Sequence, residues 1–285
     1  MEKFKVAAVQ MNALKDDLKQ NVDVHLRFIE KAARDDCQLV TFPELSATAH
    51  YGDEQVLQFS EPTRDGPVNT AIADAAKKHK IVVGFGYSEE AHGTHYNSYA
   101  LVGPNGLIGV QRKIHASADE YFAFRMGRSF ETFDLGFCRI ATLICYDGGF
   151  CESWRVIALK GVEVALLPHA TRSGWGEKLD EPRQIEAFNW VFDVHARDLA
   201  VYAKTNGLFG VFCNQYGWNG HSTHHGGAFI LDPLGDIVSR SQPALEELML
   251  TAVLDPQKLA KARTPRAFQL RTRRPEVYGE LTMMM

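Results

Sequence analysis

The sequence has few of the residues that build metal ribbons or disulfide frameworks. Its 285 residues include only five cysteines, and no two of them are spaced as a C-x-x-C pair. This pattern predicts neither a zinc ribbon nor a disulfide scaffold. Sparse, unpaired cysteines are typical of a reducing compartment, so we expect a cytoplasmic location.

Long apolar segments and a strong charge imbalance are also lacking. No apolar run approaches the roughly 20 residues needed to span a bilayer. The chain enters strand-like sequence directly after Met1-Glu2-Lys3, without the apolar region of a signal peptide. A net charge of −4 argues against nucleic acid as the main partner. We interpret a basic cluster near the C-terminus as salt bridging or interface packing; it comprises Arg263, Arg266, Arg271, Arg273 and Arg274.

The signatures of two other enzyme classes do not occur. Neither G-x-S-x-G nor S-x-x-K is present, which disfavours a serine hydrolase. A phosphate-loop glycine pattern is missing as well, which disfavours a nucleotide enzyme. Since no repeat, low-complexity segment or Ser/Gly-rich linker marks a boundary, we expect one domain over residues 1–262. Residues 263–285 are expected to form a C-terminal tail that packs on a partner subunit.

What the chain does contain is a series of apolar strand patterns, several of them separated by helical ones. Strands are predicted at 4–11, 38–42, 81–87, 96–102, 107–111, 139–144, 162–167, 200–204, 227–231, 236–240 and 248–254. Helices are predicted at 16–36, 66–79, 152–160 and 181–198. The β-α-β order implies parallel neighbours, and the turns at 103–106 and 232–235 imply hairpins. We therefore expect an α/β fold with four α-β-β-α layers, in which two mixed sheets pack face to face with helices outside.

Three of the predicted strands end at a residue that can carry chemistry, namely Glu44, Lys113 and Cys145. Each has an ordinary interpretation: a solvated loop glutamate, an edge-strand lysine, and a cysteine that fills core volume. Ligands of such sheets bind where strands end. A carboxylate that takes a proton, an ammonium that stabilises negative charge and a thiol nucleophile together indicate acyl transfer.

Cys145 has the most informative surroundings of the three. It lies where a buried strand breaks into Gly148-Gly149 and a helical pattern begins. Such a turn gives the thiol a rigid position facing a cleft. We expect its thiolate to be stabilised by the positive end of the following helix.

The same positions carry motifs that resemble those of the nitrilase superfamily of carbon–nitrogen hydrolases. The family's apolar strand ending in Phe-Pro-Glu matches residues 39–45, and its Arg-Lys-x-His matches 112–115. Its cysteine followed by an aromatic residue and an acid matches 145–147, and a late family hairpin resembles 227–235. Motifs in this order, over nearly the full length, form a specific signal.

The resemblance implies a Glu-Lys-Cys triad, with Glu44 as general base, Lys113 as catalytic lysine and Cys145 as nucleophile. Lys113 and the backbone N–H of Tyr146 would bind the oxyanion formed by attack on an amide-type carbonyl. Glu120, a second glutamate found in many members, would hold the substrate or Lys113. Ammonia or an amine would leave, and water activated by Glu44 would hydrolyse the thioester, without a metal or organic cofactor. By the same resemblance we expect a homodimer or higher homo-oligomer.

Two features of the nucleophile segment bear on the substrate, a small molecule of the amide type. Cys145-Tyr146-Asp147 favours amides, because nitrilases of the family usually carry Cys-Trp-Glu. Gly148-Gly149 replaces the Arg-Arg pair of hydrolases that act on N-carbamoyl-D-amino acids, so no carboxylate clamp is expected there. An N-carbamoyl amine hydrolase, a nitrilase and a catalytically silent binding protein with this fold are the alternatives.

The chain also departs from the family pattern. Cys151-Glu152 replaces Pro-Glu after the nucleophile turn, and an imidazole follows Pro168. The segment 214–225 is rich in aromatic residues and histidine, for which we favour pocket lining or subunit contact over metal binding, because no acid or cysteine partner is suitably spaced. Our candidates for the substrate pocket are Tyr51, Phe150, His169 and Trp175.

Overall fold

The structure, a computed structural model, describes residues 1–50, 54–118, 120–173 and 176–283. Its strands are β1 (Phe4–Gln10), β2 (Leu39–Thr41), β3 (Val82–Ala91), β4 (Thr94–Gly103), β5 (Gly106–Arg112), β6 (Phe133–Asp134), β7 (Arg139–Thr142), β8 (Val164–His169), β9 (Arg172–Ser173), β10 (Phe209–Asn214), β11 (Tyr216–Trp218), β12 (Thr223–His225), β13 (Ala228–Leu231), β14 (Ile237–Arg240) and β15 (Leu248–Leu254). Its α-helices are α1 (Leu18–Arg34), α2 (Pro67–His79), α3 (Glu120–Ala123), α4 (Cys151–Leu159), α5 (Glu181–Trp190), α6 (Arg197–Asn206), α7 (Pro256–Arg263) and α8 (Gln269–Thr272).

Two six-stranded mixed sheets make the centre of the fold. Their strand orders are β15-β1-β2-β3-β4-β5 and β14-β13-β10-β8-β7-β6. β1, β2 and β3 run parallel, as do β7, β8 and β10, while the flanking pairs are antiparallel hairpins or edge strands. Parallel centres need both faces covered, which matches the continuous apolar runs of these strands.

The alternation of side chains along β1 shows how the layers form. Val6 and Ala8 point into a core cluster shared with Ile140 and Leu166 of the second sheet. Ala7 and Val9 point the other way, into a cluster formed with α1 and α2. On the far side of the second sheet, α4 and α6 cover a third cluster. The predicted four-layer α-β-β-α sandwich is therefore confirmed.

The chain after β15 contacts segments that flank the second sheet of the same chain. In α7, the Arg263 guanidinium donates to the carbonyl oxygens of Gly207 (2.9 Å) and Val162 (2.8 Å). In α8, Gln269 Oε1 accepts a hydrogen bond from Arg155 of α4 at 3.1 Å. Within the described part of the chain, no helix has both the length and the apolar character needed to cross a membrane.

One predicted strand is wrong. Residues 200–204 belong to α6, which continues the helix that starts at Glu181 through a π-helical turn at Val191–Ala196. Leu199, Ala203 and Asn206 are buried at helical spacing, and Gly207 ends the helix with a φ of 61°. Val201 and Tyr202 have high strand propensity, but burial at helical spacing overrides it. The strand itself is β10, which begins two residues after Gly207.

The histidine-rich segment at 214–225 forms regular secondary structure. It contains β11 and β12, which join β9 in a small antiparallel sheet. His224 is buried, with its Nδ1 3.1 Å from the Ala170 carbonyl oxygen and its Nε2 3.1 Å from Asn219 Nδ2. His225 Nε2 lies 2.6 Å from Ser173 Oγ. These contacts with protein groups agree with an interior role for the two histidines.

Candidate active site

Glu44 lies in the segment that follows β2 and runs beside β3. Phe42 N–H donates to the Gly84 carbonyl at 2.8 Å, and Ala47 N–H donates to the Gly86 carbonyl at 2.9 Å. A Cβ atom at Gly86 would lie 2.2 Å from the Leu45 nitrogen, so only glycine allows this close approach. The carboxylate of Glu44 is thereby fixed in the interior of the protein.

Lys113 follows β5, the second strand of the first hairpin. Its backbone N–H donates to the Asn97 carbonyl at 2.8 Å, and its carbonyl accepts from Gly127 N–H at 2.7 Å. The side chain is buried, and Nζ donates to Glu44 Oε1 at 2.6 Å and to Glu120 Oε2 at 2.7 Å. The hairpin thus places the ammonium between two carboxylates.

Cys145 begins a short 3-10 turn, Cys145–Gly149, between the strand β7 and the helix α4. It adopts a left-handed backbone conformation, with a φ of 50°, which is uncommon for a non-glycine residue and recurs at active sites. Asp147 ties this turn to the lysine segment, because its buried carboxylate accepts from His115 N–H (2.8 Å) and Ile114 N–H (3.2 Å). The nucleophile turn and the lysine segment are therefore held in a fixed position relative to each other.

Glu44, Lys113 and Glu120 form a charged cluster. Most of its hydrogen-bonding atoms pair within the cluster or with adjacent residues. Glu120 accepts from Ser117 N–H at 2.7 Å and from the Ser117 hydroxyl at 2.8 Å. Burial opposes its ionisation, but Lys113 and His50 outweigh that effect, so the pKa of Glu120 lies well below its usual range. Burial likewise opposes the charge of Lys113, but Glu120 and Glu44 raise its pKa well above its usual range. Both groups are charged at neutral pH.

Cys145 is in the opposite electrostatic situation. Burial, followed by the nearby Glu44 carboxylate, raises the pKa of the Cys145 thiol far above its usual range. The resting thiol is therefore neutral, and stabilisation of its thiolate by the following helix stays a prediction. A neutral thiol needs a base to take its proton when it reacts.

Glu44 presents one oxygen that is free to act as that base. Its Oε1 accepts from Lys113 Nζ at 2.6 Å and from Asn97 Nδ2 at 2.8 Å. Its Oε2 is buried and has no hydrogen-bond partner among the described residues. Buried carboxylate oxygens without a partner are rare, and a catalytic role is one of the few reasons to keep one. The geometry suits proton transfer at Oε2.

Glu44 and Cys145 both line a cavity of about 450 Å³. Its wall includes Glu44, His50, Ser117, Ala118, Cys145, Tyr146, Gly149, His169, Ala170, Thr171, Arg172, Val194, His195, Asp198, Leu199 and Tyr202. The pocket candidate His169 is therefore part of the wall. Phe150 instead stacks on His115, with ring centroids 4.2 Å apart. The other two candidates, Tyr51 and Trp175, lie outside the described residues.

Glu44, His50 and Glu120 have the chemistry of a cation site. One oxygen or nitrogen from each lies within 4.8 Å of the others. Lys113 Nζ hydrogen-bonds both carboxylates, so this ammonium supplies the positive charge that they balance. His50 Nε2 completes the group at 3.4 Å from Glu120 Oε1.

The sequence patterns did not reveal several groups that complete the site. Asn97 on β4 donates to both glutamates at 2.8 Å and so fixes the distance between them. His50 reaches Glu120 from the loop beyond Glu44, and His195 reaches the cavity from the π-helical turn. Only the position of Asn97 opposite the lysine strand could have been inferred, from the hairpin register of β4 and β5.

The free energy of unfolding of the protein is expected to depend on pH through His25, which packs beside the Glu44 segment. This buried residue of α1 has Nε2 2.9 Å from Ser46 Oγ, and burial lowers its pKa to about 4. A histidine in the unfolded chain has a pKa of about 6.5. The stabilisation that neutral His25 gives the folded protein is therefore complete above that pH and is lost as the pH falls towards 4. The loss from His25 alone is about 3 kcal/mol. Urea denaturation between about pH 7.5 and 4 measures it.

The matched control for this pH effect is His25→Gln, which keeps a neutral polar side chain at the site. Its free energy of unfolding should fall less steeply over the same pH interval than that of the unmodified protein. Equal slopes in the two proteins would contradict the assignment to His25.

Comparisons with known proteins agree with this fold. A family model described as carbon-nitrogen hydrolase matches residues 5–264. A protein named nitrilase from Pyrococcus abyssi is 30% identical over 247 residues, which cover 86% of this chain and 87% of that protein. An (R)-stereoselective amidase from a Pseudomonas species is 28% identical, with 98% of this chain and 94% of the amidase covered. A crystal structure of a carbon–nitrogen hydrolase from Helicobacter pylori G27 has a TM-score of 0.85 at 22% identity and covers 99% of both chains.

The fold and the family match together define an enzyme class, the hydrolases that act on carbon–nitrogen bonds other than peptide bonds. The chain belongs to the carbon–nitrogen hydrolase family of the nitrilase superfamily, as the three sequence motifs indicated.

Proposed function

We propose that the protein hydrolyses a small linear amide through a thioester on Cys145. The observation that carries this proposal is the unpartnered Glu44 Oε2 on a cavity wall shared with a neutral, half-buried thiol. Glu44 takes the proton of Cys145 as the sulfur attacks the amide carbonyl. Lys113 Nζ and the Tyr146 backbone N–H donate to the developing oxyanion, where preorganised donors lower the barrier most.

The second half of the reaction uses the same groups. The proton held by Glu44 passes to the leaving nitrogen, so ammonia or an amine departs and an acyl thioester remains. Glu44 then removes a proton from water, which attacks the thioester and releases a carboxylic acid and the Cys145 thiol. In this proposal Glu120 is a positioning residue, because its two short contacts with Lys113 fix the ammonium.

Amides are the substrate class that the nucleophile turn supports best. Gly148 and Gly149 contribute no side chain to the turn, so the proposal includes no cationic clamp at these two positions. A nitrilase is the second candidate, because the relative that is 30% identical carries that name. An N-carbamoyl amine hydrolase and a silent binding protein remain as alternatives. The silent protein is disfavoured because thiol and carboxylate line one cavity and the Lys113 ammonium hydrogen-bonds that carboxylate.

Ammonia release distinguishes these candidates. Purified protein is incubated with matched sets of C2 to C5 linear amides, the corresponding nitriles and N-carbamoyl amines, and ammonia is measured over time. We expect turnover of amides and at most about a hundredth of that rate with nitriles, because a nitrile adds a thioimidate step before the thioester. Nitrile turnover without amide turnover would contradict the amide assignment, and no turnover of any set would favour the silent protein.

A homo-oligomer and a cytoplasmic location are further parts of the proposal. Four apolar side chains of the tail are exposed in the single chain, namely Val277, Tyr278, Leu281 and Met283. Two on α4, Val156 and Leu159, are exposed as well. A second copy could cover this surface, which would make residues 263–285 a subunit contact. The cysteines at 37, 138, 145, 151 and 213 are all free thiols, which supports a reducing compartment.

A further inference from the structure

The cavity extends behind the Cys145 turn, towards the helix α6. We call this part the side lobe, and its wall consists of Gly149, His169, Val194, His195, Leu199 and Tyr202. The side lobe and the catalytic groups share one cavity, and the Lys113 charge contributes to lowering the pKa of His169. A substrate bound at Cys145 can therefore place its non-reacting end in the side lobe.

The glycine pair of the nucleophile turn gives the side lobe its space. A Cβ atom on Gly149 would meet no atom within 4 Å. A Cβ atom on Gly148 would lie 3.8 Å from His169 Nε2 and 3.7 Å from a Leu199 methyl group. Any larger side chain at position 148 would cover the imidazole nitrogen. The glycines thus place no side chain between the nucleophile turn and Nε2.

His169 carries the only fully buried polar side chain on the described wall of the side lobe. It is 2% exposed, and its Nε2 has no hydrogen-bond partner among the described residues. Nδ1 lies 3.1 Å from the Thr171 hydroxyl, which can either donate or accept. The ring can therefore adopt either tautomer, and Nε2 can serve a ligand as acceptor or as donor. Buried polar atoms are almost always hydrogen-bonded, so this nitrogen calls for a partner.

His195 presents a second imidazole beside the first. Its ring packs edge-on to His169, with centroids 5.4 Å apart, and its Nε2 also lacks a partner among the described residues. It lies in the π-helical turn Val191–Ala196, a local geometry that recurs at functional sites. Burial lowers the pKa of both histidines, so both rings are neutral at neutral pH.

One charged residue, Asp198, lines the cavity next to the side lobe, and its carboxylate partly opposes the lowering of the His195 pKa by burial. Asp198 is exposed at the cavity rim, 3.8 Å from the Arg197 guanidinium. Arg172 contacts His50 on the catalytic side of the cavity. Val194 and Leu199 make the remaining wall apolar. A neutral, partly apolar lobe disfavours a ligand charge, because desolvating it is costly without an opposite charge nearby.

We propose that the side lobe binds an uncharged polar group, a hydroxyl or a second carboxamide, at the non-reacting end of the amide substrate, with His169 Nε2 as its main hydrogen-bonding partner. Such groups both donate and accept hydrogen bonds, as a neutral imidazole with two available tautomers does. The inference rests on the proposed amide hydrolysis and adds a substrate class to it. His169 then determines specificity for the polar end.

Matched substrates test this directly. Ammonia release gives kcat/KM for 4-hydroxybutanamide and for pentanamide, in which a methyl group replaces the hydroxyl. The same is measured for succinamide and for succinamate, which differ in the charge of the distal group. We expect the unmodified enzyme to prefer each uncharged polar substrate over its partner by about tenfold, the effect of one or two hydrogen bonds.

Two variants link this preference to His169. His169→Phe keeps a flat aromatic ring but removes both nitrogens, and should bring the 4-hydroxybutanamide to pentanamide ratio close to one. His169→Gln places a neutral amide group near the position of Nε2, and should restore most of the preference. Thermal unfolding of each variant checks that the fold is retained, and the ratio in the unmodified enzyme provides a test that needs no variant.

The outcomes separate this inference from the proposed function. A ratio near one in the unmodified enzyme, a ratio that His169→Phe leaves unchanged, or a preference for succinamate would overturn the inference while Cys145-dependent amide hydrolysis stands. Failure of the folded enzyme to release ammonia from any of the four amides would overturn the proposed function and this inference with it.

Discussion

Replacing Cys145 with serine is expected to lower kcat for amide hydrolysis by about 10⁵-fold, the scale seen when a catalytic nucleophile is lost. The sulfur is the attacking atom, and a hydroxyl in the same buried position holds its proton far more tightly than a thiol does. Ammonia release under saturating substrate measures the effect.

Cys151→Ser is the matched control for this substitution. Cys151 lies six positions further along the same segment, is exposed, and its thiol lies 3.1 Å from Glu152 Oε2. We expect its variant to keep kcat within about twofold, since exposed substitutions away from the site change little. A Cys145→Ser variant with a tenth or more of the original kcat would show that another group is the nucleophile.

Replacing Lys113 with methionine is expected to damage stability and catalysis together. The substitution leaves Glu44 and Glu120, both buried, facing each other without the ammonium that now lies 2.6 and 2.7 Å from them. Removing one partner of a buried ionic cluster costs about 3–5 kcal/mol of stability. Losing an oxyanion donor lowers kcat by about 10²- to 10³-fold. Urea denaturation and steady-state kinetics measure the two effects.

The double variant Lys113→Met with Glu120→Gln separates these two roles. Neutralising Glu120 removes one of the two uncompensated charges, so about half of the lost stability should return. Catalysis should stay low, because no donor replaces the ammonium at the oxyanion. If kcat recovers together with stability, Lys113 acts only as a structural counter-ion.

The sequence predicted the layers and the three strand-end residues because both depend on local patterns. Continuous apolar runs such as those of β7 and β8 indicate strands buried on both faces, and two sheets are the way to bury many of them. Glu44, Lys113 and Cys145 each follow such a run directly. Glu44 and Cys145 line one cavity, and Lys113 hydrogen-bonds Glu44, because strands of the two facing sheets end at this edge.

The missed features depend on contacts between distant segments. Residues 200–204 have strand propensity, and only burial of Leu199 and Ala203 against the second sheet makes them helical. Asn97 approaches the two glutamates because the register of one hairpin places it opposite the lysine strand. The high pKa of Cys145 follows from burial and from Glu44, neither of which a local motif reveals.

Trapping the acyl enzyme tests the central claim most directly. Unmodified enzyme is mixed with an amide substrate, quenched in acid during turnover, and examined by intact-protein and peptide mass spectrometry. The Glu44→Gln enzyme, which lacks the base of both half-reactions, is treated in the same way and should acylate only slowly. The account predicts a mass increase equal to the substrate minus ammonia, located on the peptide that contains Cys145 and absent in the Cys145→Ser variant. An adduct on another residue, or steady amide hydrolysis by the unmodified enzyme with no acyl adduct on Cys145 in either protein, would contradict it.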